Sequence, residues 1–176
     1  MNAILPSIIQ SIKPFHCRNI AVGRKGYEVR KTKPNIPTPF KGYIYCTKDK
    51  EIFYQSRYRK DFILYKPKFY KDTEILLRQN GHTVFNGKVI GEYICDEIQE
   101  WLFDNETNSY DISDDDLALT CLTQEQSWEY GKGKTLYGYH ITNLKIYDEP
   151  KALNEFQNNG IPLNKPPQSW CYVEEM

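Results

Sequence analysis

The sequence lacks several features that mark common classes of protein. No apolar run approaches the roughly 20 residues of a membrane-spanning helix, so we expect no membrane partner. The apolar stretch near the start has no basic residues before it and no small-residue cleavage site after it, so we expect no signal peptide. No repeat, low-complexity segment or Gly/Ser-rich linker divides the 176 residues, which predicts a single domain over 1–176.

Cysteine is scarce and scattered. The five cysteines are an odd number with no CxxC pair: Cys17, Cys46, Cys95, Cys121 and Cys171. Structural zinc needs clustered ligands, so we expect no metal, and no cofactor is expected either. We interpret the thiols as reduced and mostly buried, which is typical of a cytoplasmic protein.

Tyrosine, in contrast, is abundant, and the charges are unevenly spread. The 14 Tyr accompany 8 Phe and 3 Trp, and such residues suit both β-rich structures and binding faces. Residues 1–88 carry 18 Lys+Arg against 6 Asp+Glu, whereas residues 89–176 carry 5 against 17. Either the first half binds a polyanion or the two halves pair with each other.

The segment 48–80 is both basic and aromatic. It contains nine Lys/Arg and seven Phe/Tyr. Cations can follow a phosphate backbone and aromatic rings can stack on unpaired bases. The alternative is an insertion whose aromatics pack on the rest of the domain and whose charges keep it soluble. In either case we expect this segment to set specificity and not chemistry.

Local signals predict an α+β fold with a curved or closed sheet. Pro14 and Gly23 predict a helix over 14–22, and the N-cap residues Ser113 and Thr123 predict two more. Strands are predicted at 27–31, 41–47, 88–96, 136–147 and 169–173, with Pro150 as a breaker and a short helix over 151–156. Within 48–80 we predict strands at 51–54 and 62–65 and a helix over 72–78.

One set of motifs points to a known family. Ser11-Ile12-Lys13-Pro14 is followed by Gly23, Lys25, Glu28 and Arg30. This S-I-K-P lead and G-x-K-x-x-E-x-R turn resemble the ASCH family, a branch of the PUA-like superfamily. The segments 87–92, 138–147 and 166–170 look like the same family, especially its phage and prophage members. The resemblance implies a small mixed β-barrel with flanking short helices, in which 48–80 is an insertion.

The same resemblance implies a cleft beside the GxK turn that binds RNA or a modified nucleotide. Some members resemble hydrolases of N4-acetylated cytidine that use a lysine of this turn, and another resembles a ribonuclease for single-stranded RNA. Lys25 stands at the lysine position, whereas Glu28 replaces the threonine of the acetylcytidine hydrolases and so removes a hydroxyl. Glu125 is a candidate counterpart of their catalytic glutamate.

The residues of the turn favour a nucleotide site in their own right. The ammonium of Lys25 can face a cleft and exchange a proton with Glu28, while a guanidinium clamps phosphate or a base edge. We predict Lys25 and Glu28 as catalytic residues. Candidates for binding single-stranded RNA or a modified nucleoside are Lys13, Arg30, Tyr45, Ser169 and Trp170. The alternative is an ordinary surface salt bridge among Lys25, Glu28 and Arg30.

Other polar residues are interpreted as structural. The run 114–116 of three aspartates fits a helix N-terminus and cannot converge on a metal. His16, His82 and His140 have no ligand spacing, and His140 is expected to be a structural or cleft-wall residue. The sequence thus predicts an RNA- or nucleotide-binding domain acting in RNA processing or modification, or alternatively a hydrolase. A third hypothesis, a protein-binding module that modifies host machinery, depends only on the phage-like similarity.

Overall fold

The computed structural model describes residues 4–176. Its helices are α1 (Pro14–Ala21), α2 (Tyr70–Gln79), α3 (Asp114–Thr120) and α4 (Gln124–Gly131), with a 3₁₀ turn at Leu153–Glu155. Its strands are β1 (Ser7–Ile12), β2 (Tyr27–Arg30), β3 (Phe40–Cys46), β4 (Ile52–Gln55), β5 (Phe62–Tyr65), β6 (Thr83–Val84), β7 (Lys88–Cys95), β8 (Ile98–Trp101), β9 (Phe103–Asp104), β10 (Ser109–Tyr110), β11 (Leu136–His140), β12 (Thr142–Lys151), β13 (Phe156–Asn158), β14 (Ile161–Pro162), β15 (Trp170–Tyr172) and β16 (Glu174–Glu175). This mixture confirms the predicted α+β class.

The core lies between a five-stranded and a three-stranded sheet. The larger sheet has the order β12-β7-β3-β1-β15, in which only the β1–β3 pair is parallel. The smaller sheet has the order β2-β11-β8. Tyr139 of β11 meets Phe40 of β3 edge to face, with ring centroids 6.1 Å apart, and both side chains are fully buried. The two sheets therefore enclose the main core in a barrel-like arrangement, and two further buried clusters lie around Tyr43 and around Trp101.

The segment 48–80 supplies β4 and β5 of a three-stranded sheet with the order β5-β4-β6, and it packs against α1. Arg18 of α1 donates from Nε to the Phe62 carbonyl at 3.4 Å. Phe53 is fully buried in the main core, whereas Tyr58 is 76 % exposed. Some aromatic residues of the segment thus pack on the domain, as the second interpretation expects, and others face solvent.

Three local predictions were wrong, and one strand of the smaller sheet was missed. The strand predicted over 136–147 is two strands, β11 and β12, which belong to different sheets. β12 continues through Pro150 to Lys151 because it is an edge strand, where a residue without an N–H group is tolerated. The chain then forms a 3₁₀ turn and a strand where a helix over 151–156 was expected. β8 was not predicted, since Ile98–Trp101 shows little alternation between apolar and polar residues.

The cysteines are free thiols within the described residues, and Cys17, Cys46 and Cys95 are buried. Cys121 and Cys171 are half-buried. Between residues 4 and 176, no helix combines the length and hydropathy needed to cross a bilayer.

Candidate functional site

A cavity of about 730 Å³ opens beside the turn that follows α1. Its walls come from the end of β1, the start of α1, β2, the segment after β3, the α3–α4 region and the residues before β15. The polar lining residues include Ser11, Lys13, His16, Lys25, Glu28, Arg30, Lys31, Thr32, Thr47, Lys48, Asp49, Tyr130, Gln168 and Ser169. A volume of this size suits a small organic ligand.

Helix α1 and strand β2 position the charged residues of the cavity. Gly23 has φ of 77°, a conformation that glycine adopts without steric cost, and it ends the helix. The N–H groups of Arg24 and Lys25 then donate to the Asn19 carbonyl at 2.9 and 3.1 Å, which folds the chain back toward β2. Because alternate residues of a strand share a face, Glu28 and Arg30 both face the cavity.

Lys25, Glu28 and Arg30 form a buried ionic cluster. Arg30 Nη2 lies 3.0 Å from Glu28 Oε1, and Lys25 Nζ lies 3.6 Å from Glu28 Oε2. The three side chains are only 1 %, 7 % and 9 % exposed for Lys25, Glu28 and Arg30 respectively. Lys25 also donates to the Thr120 carbonyl at the end of α3, at 2.5 Å. The alternative of an ordinary surface salt bridge is therefore wrong.

Arg30 joins this cluster to the two segments at the far side of the cavity. Its Nη2 donates to the Ser11 carbonyl at 2.7 Å, and its Nη1 donates to Ser169 Oγ at 3.4 Å. Ser11 also donates from its hydroxyl to the Pro167 carbonyl at 2.6 Å. One guanidinium thus holds β1, β2 and the segment before β15 in a fixed relation.

Several buried polar atoms of the cavity have no hydrogen-bond partner within the protein. In the part of the chain that the structure describes, they are Glu28 Oε2, Arg30 Nε and His16 Nδ1, and only Gln10 Nε2 and Tyr70 Oη share this property elsewhere. Buried polar groups are almost always paired, because an unpaired one costs about 1–3 kcal/mol. Three of these five atoms therefore belong to one cavity, where bound water or a polar ligand would complete their hydrogen bonding.

Burial and mutual charge shift the pKa values of these groups. Burial lowers the pKa of His16 to about 4, and the nearby Lys25 cation adds to this effect, so the imidazole is neutral at pH 7. Burial likewise lowers the pKa of Lys25, with Glu28 acting in the opposite direction. Burial favours the neutral form of Glu28, but the Lys25 and Arg30 cations outweigh it and leave its pKa lowered. The site therefore holds a carboxylate, a guanidinium, a neutral imidazole and an amine that releases its proton more easily than usual.

The walls around these groups are partly apolar. Ile12 and Val29 lie on the strand side, and Leu122 and Tyr130 lie on the side of α3 and α4. The Tyr130 ring also contacts Lys31, whose Nζ lies 4.9 Å from the ring centroid. Polar groups at one side and apolar walls around them suit a flat heterocycle that carries hydrogen-bonding edges. Among residues 4–176 no three His, Cys, Asp or Glu side chains converge as a metal ion would require.

The structure brings five of the predicted residues together. Lys13, Lys25, Glu28, Arg30 and Ser169 all line the cavity.

Tyr45 and Trp170 lie elsewhere. Tyr45 packs with Ile9 and Tyr43 on the opposite face of the main sheet, which corrects the expectation that it assists the cleft. Trp170 does not line the cavity, but its Nε1 donates at 3.0 Å to Oγ1 of Thr32, a wall residue.

Other candidates from the sequence are also outside the cavity. His140 Nδ1 lies 2.7 Å from Asp96 Oδ1, so this histidine is structural, as expected. Glu125 is in the first turn of α4 and does not line the cavity. Asp114, Asp115 and Asp116 form the first turn of α3, and the Ser113 hydroxyl accepts from the Asp116 N–H at 3.1 Å, as predicted.

Sequence reasoning missed several residues of the site, and His16 and Tyr130 are the most informative of them. His16 lies one turn after Lys13, and this i, i+3 spacing at the start of a helix was the available signal. Tyr130 had no comparable signal, because α4 reaches the cavity only through tertiary packing.

The fold and the cavity together define a class: a small α+β domain with a cation-rich hollow at the turn after its first helix. The chain is similar to a crystal structure of ASCH from Zymomonas mobilis, with a TM-score of 0.59 and 16 % identity over 96 % of this chain and 87 % of that chain. A variant of that protein with a serine replaced by alanine gives a TM-score of 0.59 and 14 % identity over 97 % of this chain and 90 % of that one. No family model and no curated protein matches the sequence. The likeness shows that this chain has the fold of these ASCH structures, which confirms the predicted fold.

Proposed function

We propose that this protein is a phage-type member of the ASCH family and that its cavity binds RNA or a modified nucleotide. The observation that carries the proposal is the convergence of Lys25, Glu28 and Arg30, with unpartnered buried polar atoms, in a hollow of about 730 Å³. The likeness to ASCH structures and the motif of the turn support the same conclusion. The free thiols support a cytoplasmic location.

Charge favours an anionic or phosphate-containing ligand. The cavity walls carry five cationic residues, Lys13, Lys25, Arg30, Lys31 and Lys48, against the two acids Glu28 and Asp49. Among the described residues, only Lys33–Glu100 and Lys41–Glu92 are Lys/Arg ion pairs between the first and second halves of the chain. The excess positive charge of the first half is therefore mostly not neutralised by the second half, which favours the polyanion interpretation.

The proposal is tested by titrating labelled single-stranded RNA with the protein at several salt concentrations. Each phosphate contact releases counterions, so affinity should fall steeply as salt rises. Lys13→Ala should weaken binding and reduce the salt dependence, whereas Lys134→Ala, which removes an exposed lysine outside the cavity, should not. An affinity that stays constant from low to high salt would contradict the proposal.

A hydrolase is the second candidate, and the buried amine of Lys25 is the observation that favours it. Its pKa is lowered mainly by burial and its Nζ lies 3.6 Å from Glu28 Oε2, so the two can act as acid and base. The substrates would be single-stranded RNA for a ribonuclease, or N4-acetylcytidine for an amidohydrolase.

Incubating the pure protein with both substrates decides between binding and catalysis. Under the catalytic hypothesis, product forms and Lys25→Ala abolishes turnover, while Lys134→Ala has no effect. A Lys25→Ala variant with full turnover would remove this residue from the mechanism.

A further inference from the structure

The β4–β5 hairpin of the segment 48–80 has two ends that differ in their distance from the cavity. Its register pairs Ile52 with Tyr65 at one end and Gln55 with Phe62 at the other. The chain enters β4 directly from the cavity wall, since Thr47, Lys48 and Asp49 are lining residues. We call residues 48–50 and 65–71 the cavity end, and residues 57–60 the hairpin tip.

A buried asparagine holds the cavity end in place. Asn86 is 3 % exposed, and its Nδ2 donates to the carbonyls of Thr47 at 3.3 Å and Glu51 at 2.8 Å. Its Oδ1 accepts from the Phe53 N–H at 2.8 Å. The link between the cavity wall and β4 is therefore fixed on both sides of Lys48–Lys50 by one side chain.

The antiparallel register brings β5 back to the same end of the hairpin. Ile52, at the start of β4, pairs with Tyr65, at the end of β5. The chain therefore leaves β5 at the end from which Lys48–Lys50 enter β4. Residues 65–71 thus begin at the end of the hairpin that adjoins the cavity wall.

The surface of the cavity end is cationic and aromatic. Its five lysines, Lys48, Lys50, Lys66, Lys68 and Lys71, are exposed, and none of them forms an ion pair within the described residues. Asp49 is its only acid. Tyr65 is 50 % exposed and Phe69 is 64 % exposed, with Lys68 Nζ 5.6 Å from the Phe69 ring centroid.

We infer that the cavity end binds the nucleotides that flank the one in the cavity, so that the partner is a single-stranded RNA and not a free mononucleotide. This inference rests on the proposed function. The free lysines would contact successive phosphates, and the exposed rings of Tyr65 and Phe69 would stack on unpaired bases. Unpaired bases are required because a duplex keeps its bases stacked on each other and offers no open face to a protein ring.

The hairpin tip supplies a matched control. It carries the exposed ring of Tyr58 and the exposed cations Arg57, Arg59 and Lys60, so its composition resembles that of the cavity end. It lies at the opposite end of the four-residue strands, about 10 Å further along them. A strand of RNA that enters the cavity passes the cavity end first.

The test measures affinity for labelled oligocytidylates of one, two, four and six nucleotides. With the native chain, affinity should rise at least tenfold between the mononucleotide and the hexamer, as expected for one stacked base with its phosphate contacts. The cavity-end variant Lys66→Ala/Lys68→Ala/Phe69→Ala should bind the mononucleotide normally but lose this gain. The tip variant Arg57→Ala/Tyr58→Ala/Arg59→Ala, with the same number and types of groups removed, should keep it.

Phe69→Ala alone, which leaves the charge unchanged, should lose part of the gain and so separates stacking from charge. The inference would be overturned if the affinity of the native chain did not rise with oligonucleotide length, or if the tip variant lost this rise as fully as the cavity-end variant does. Either result would favour a protein partner for this surface. The proposed function would survive that result as long as the mononucleotide binds. If no oligomer and no mononucleotide binds, or if Arg30→Ala leaves binding unchanged, the proposed function itself fails.

Discussion

The buried imidazole of His16 makes the stability of this protein depend on pH. Its pKa is about 4 in the folded protein, against an ordinary value of 6.5, chiefly because burial disfavours the charged ring. Between these two pH values the unfolded chain binds a proton that the folded protein does not. The contribution of His16 to stability is therefore fully present above pH 6.5 and is lost as the pH falls toward 4.

The size of the effect follows from the two pKa values. Their difference corresponds to about 3 kcal/mol in total, since each unit is worth about 1.4 kcal/mol. Most of this loss, about 2 kcal/mol, falls between pH 7 and pH 5. His16→Gln places an amide that does not titrate in the same position, so the variant should lose about 2 kcal/mol less than the native chain over this range.

Urea unfolding at pH 7, 6 and 5 measures this difference. His140→Gln, which removes a histidine outside the cavity, reports what the loss of a histidine elsewhere on the domain does. Parallel stability curves for His16→Gln and the native chain would refute the reasoning, because they would mean that this ring has the same pKa in the folded and unfolded chains. An anionic ligand in the cavity should favour the protonated ring and so reduce the pH dependence of the native chain.

Three further substitutions test the packing of the site and of the sheets. Glu28→Gln should destabilise the fold by about 3–5 kcal/mol in urea unfolding, because it leaves two buried cations without their anion; an unchanged midpoint would show that the cluster is solvated. Asn86→Ala should lower the free energy of unfolding by at least about 1–3 kcal/mol, because three backbone groups lose their partner. Thermal unfolding measures this loss, and Asn86→Asp should also be less stable than the native chain. Gly91→Ala should be destabilising by about 1–3 kcal/mol, since a Cβ there would lie 2.4 Å from the Lys145 carbonyl oxygen; a native melting temperature would contradict this contact.

Much of the fold is predictable where local chemistry alone decides it. Pro14 and Gly23 bracket α1 within one residue of the prediction, and the N-cap residues Ser113 and Thr123 mark α3 and α4. Pro150 was misleading because its tolerance depends on whether β12 is an edge strand, which is a property of the whole sheet.

The site was predictable only in part, because some of its residues reach the cavity only through tertiary packing. The i, i+3 and i, i+2 spacings of Lys25, Glu28 and Arg30 are local, and the structure brings all three into one cavity. Alternation along β3 shows that Tyr43 and Tyr45 share a face, but not which face the cavity occupies. The approach of Tyr130 is set by how α4 packs, and no spacing within α4 encodes it.

The contacts of Arg30 with both Ser11 and Ser169 have a consequence for biosynthesis. The cavity cannot be completed until the residues around Ser169 have left the ribosome. In addition to the contact between Arg30 and Ser169, the Ser11 N–H donates to the Ser169 carbonyl at 3.0 Å. Until then, β1 lacks its partner β15 and presents an open edge to other nascent chains. A translation product truncated before this point would keep the entire turn from Gly23 to Arg30 but lack one wall of the cavity, so only chains synthesised past Ser169 form the complete site.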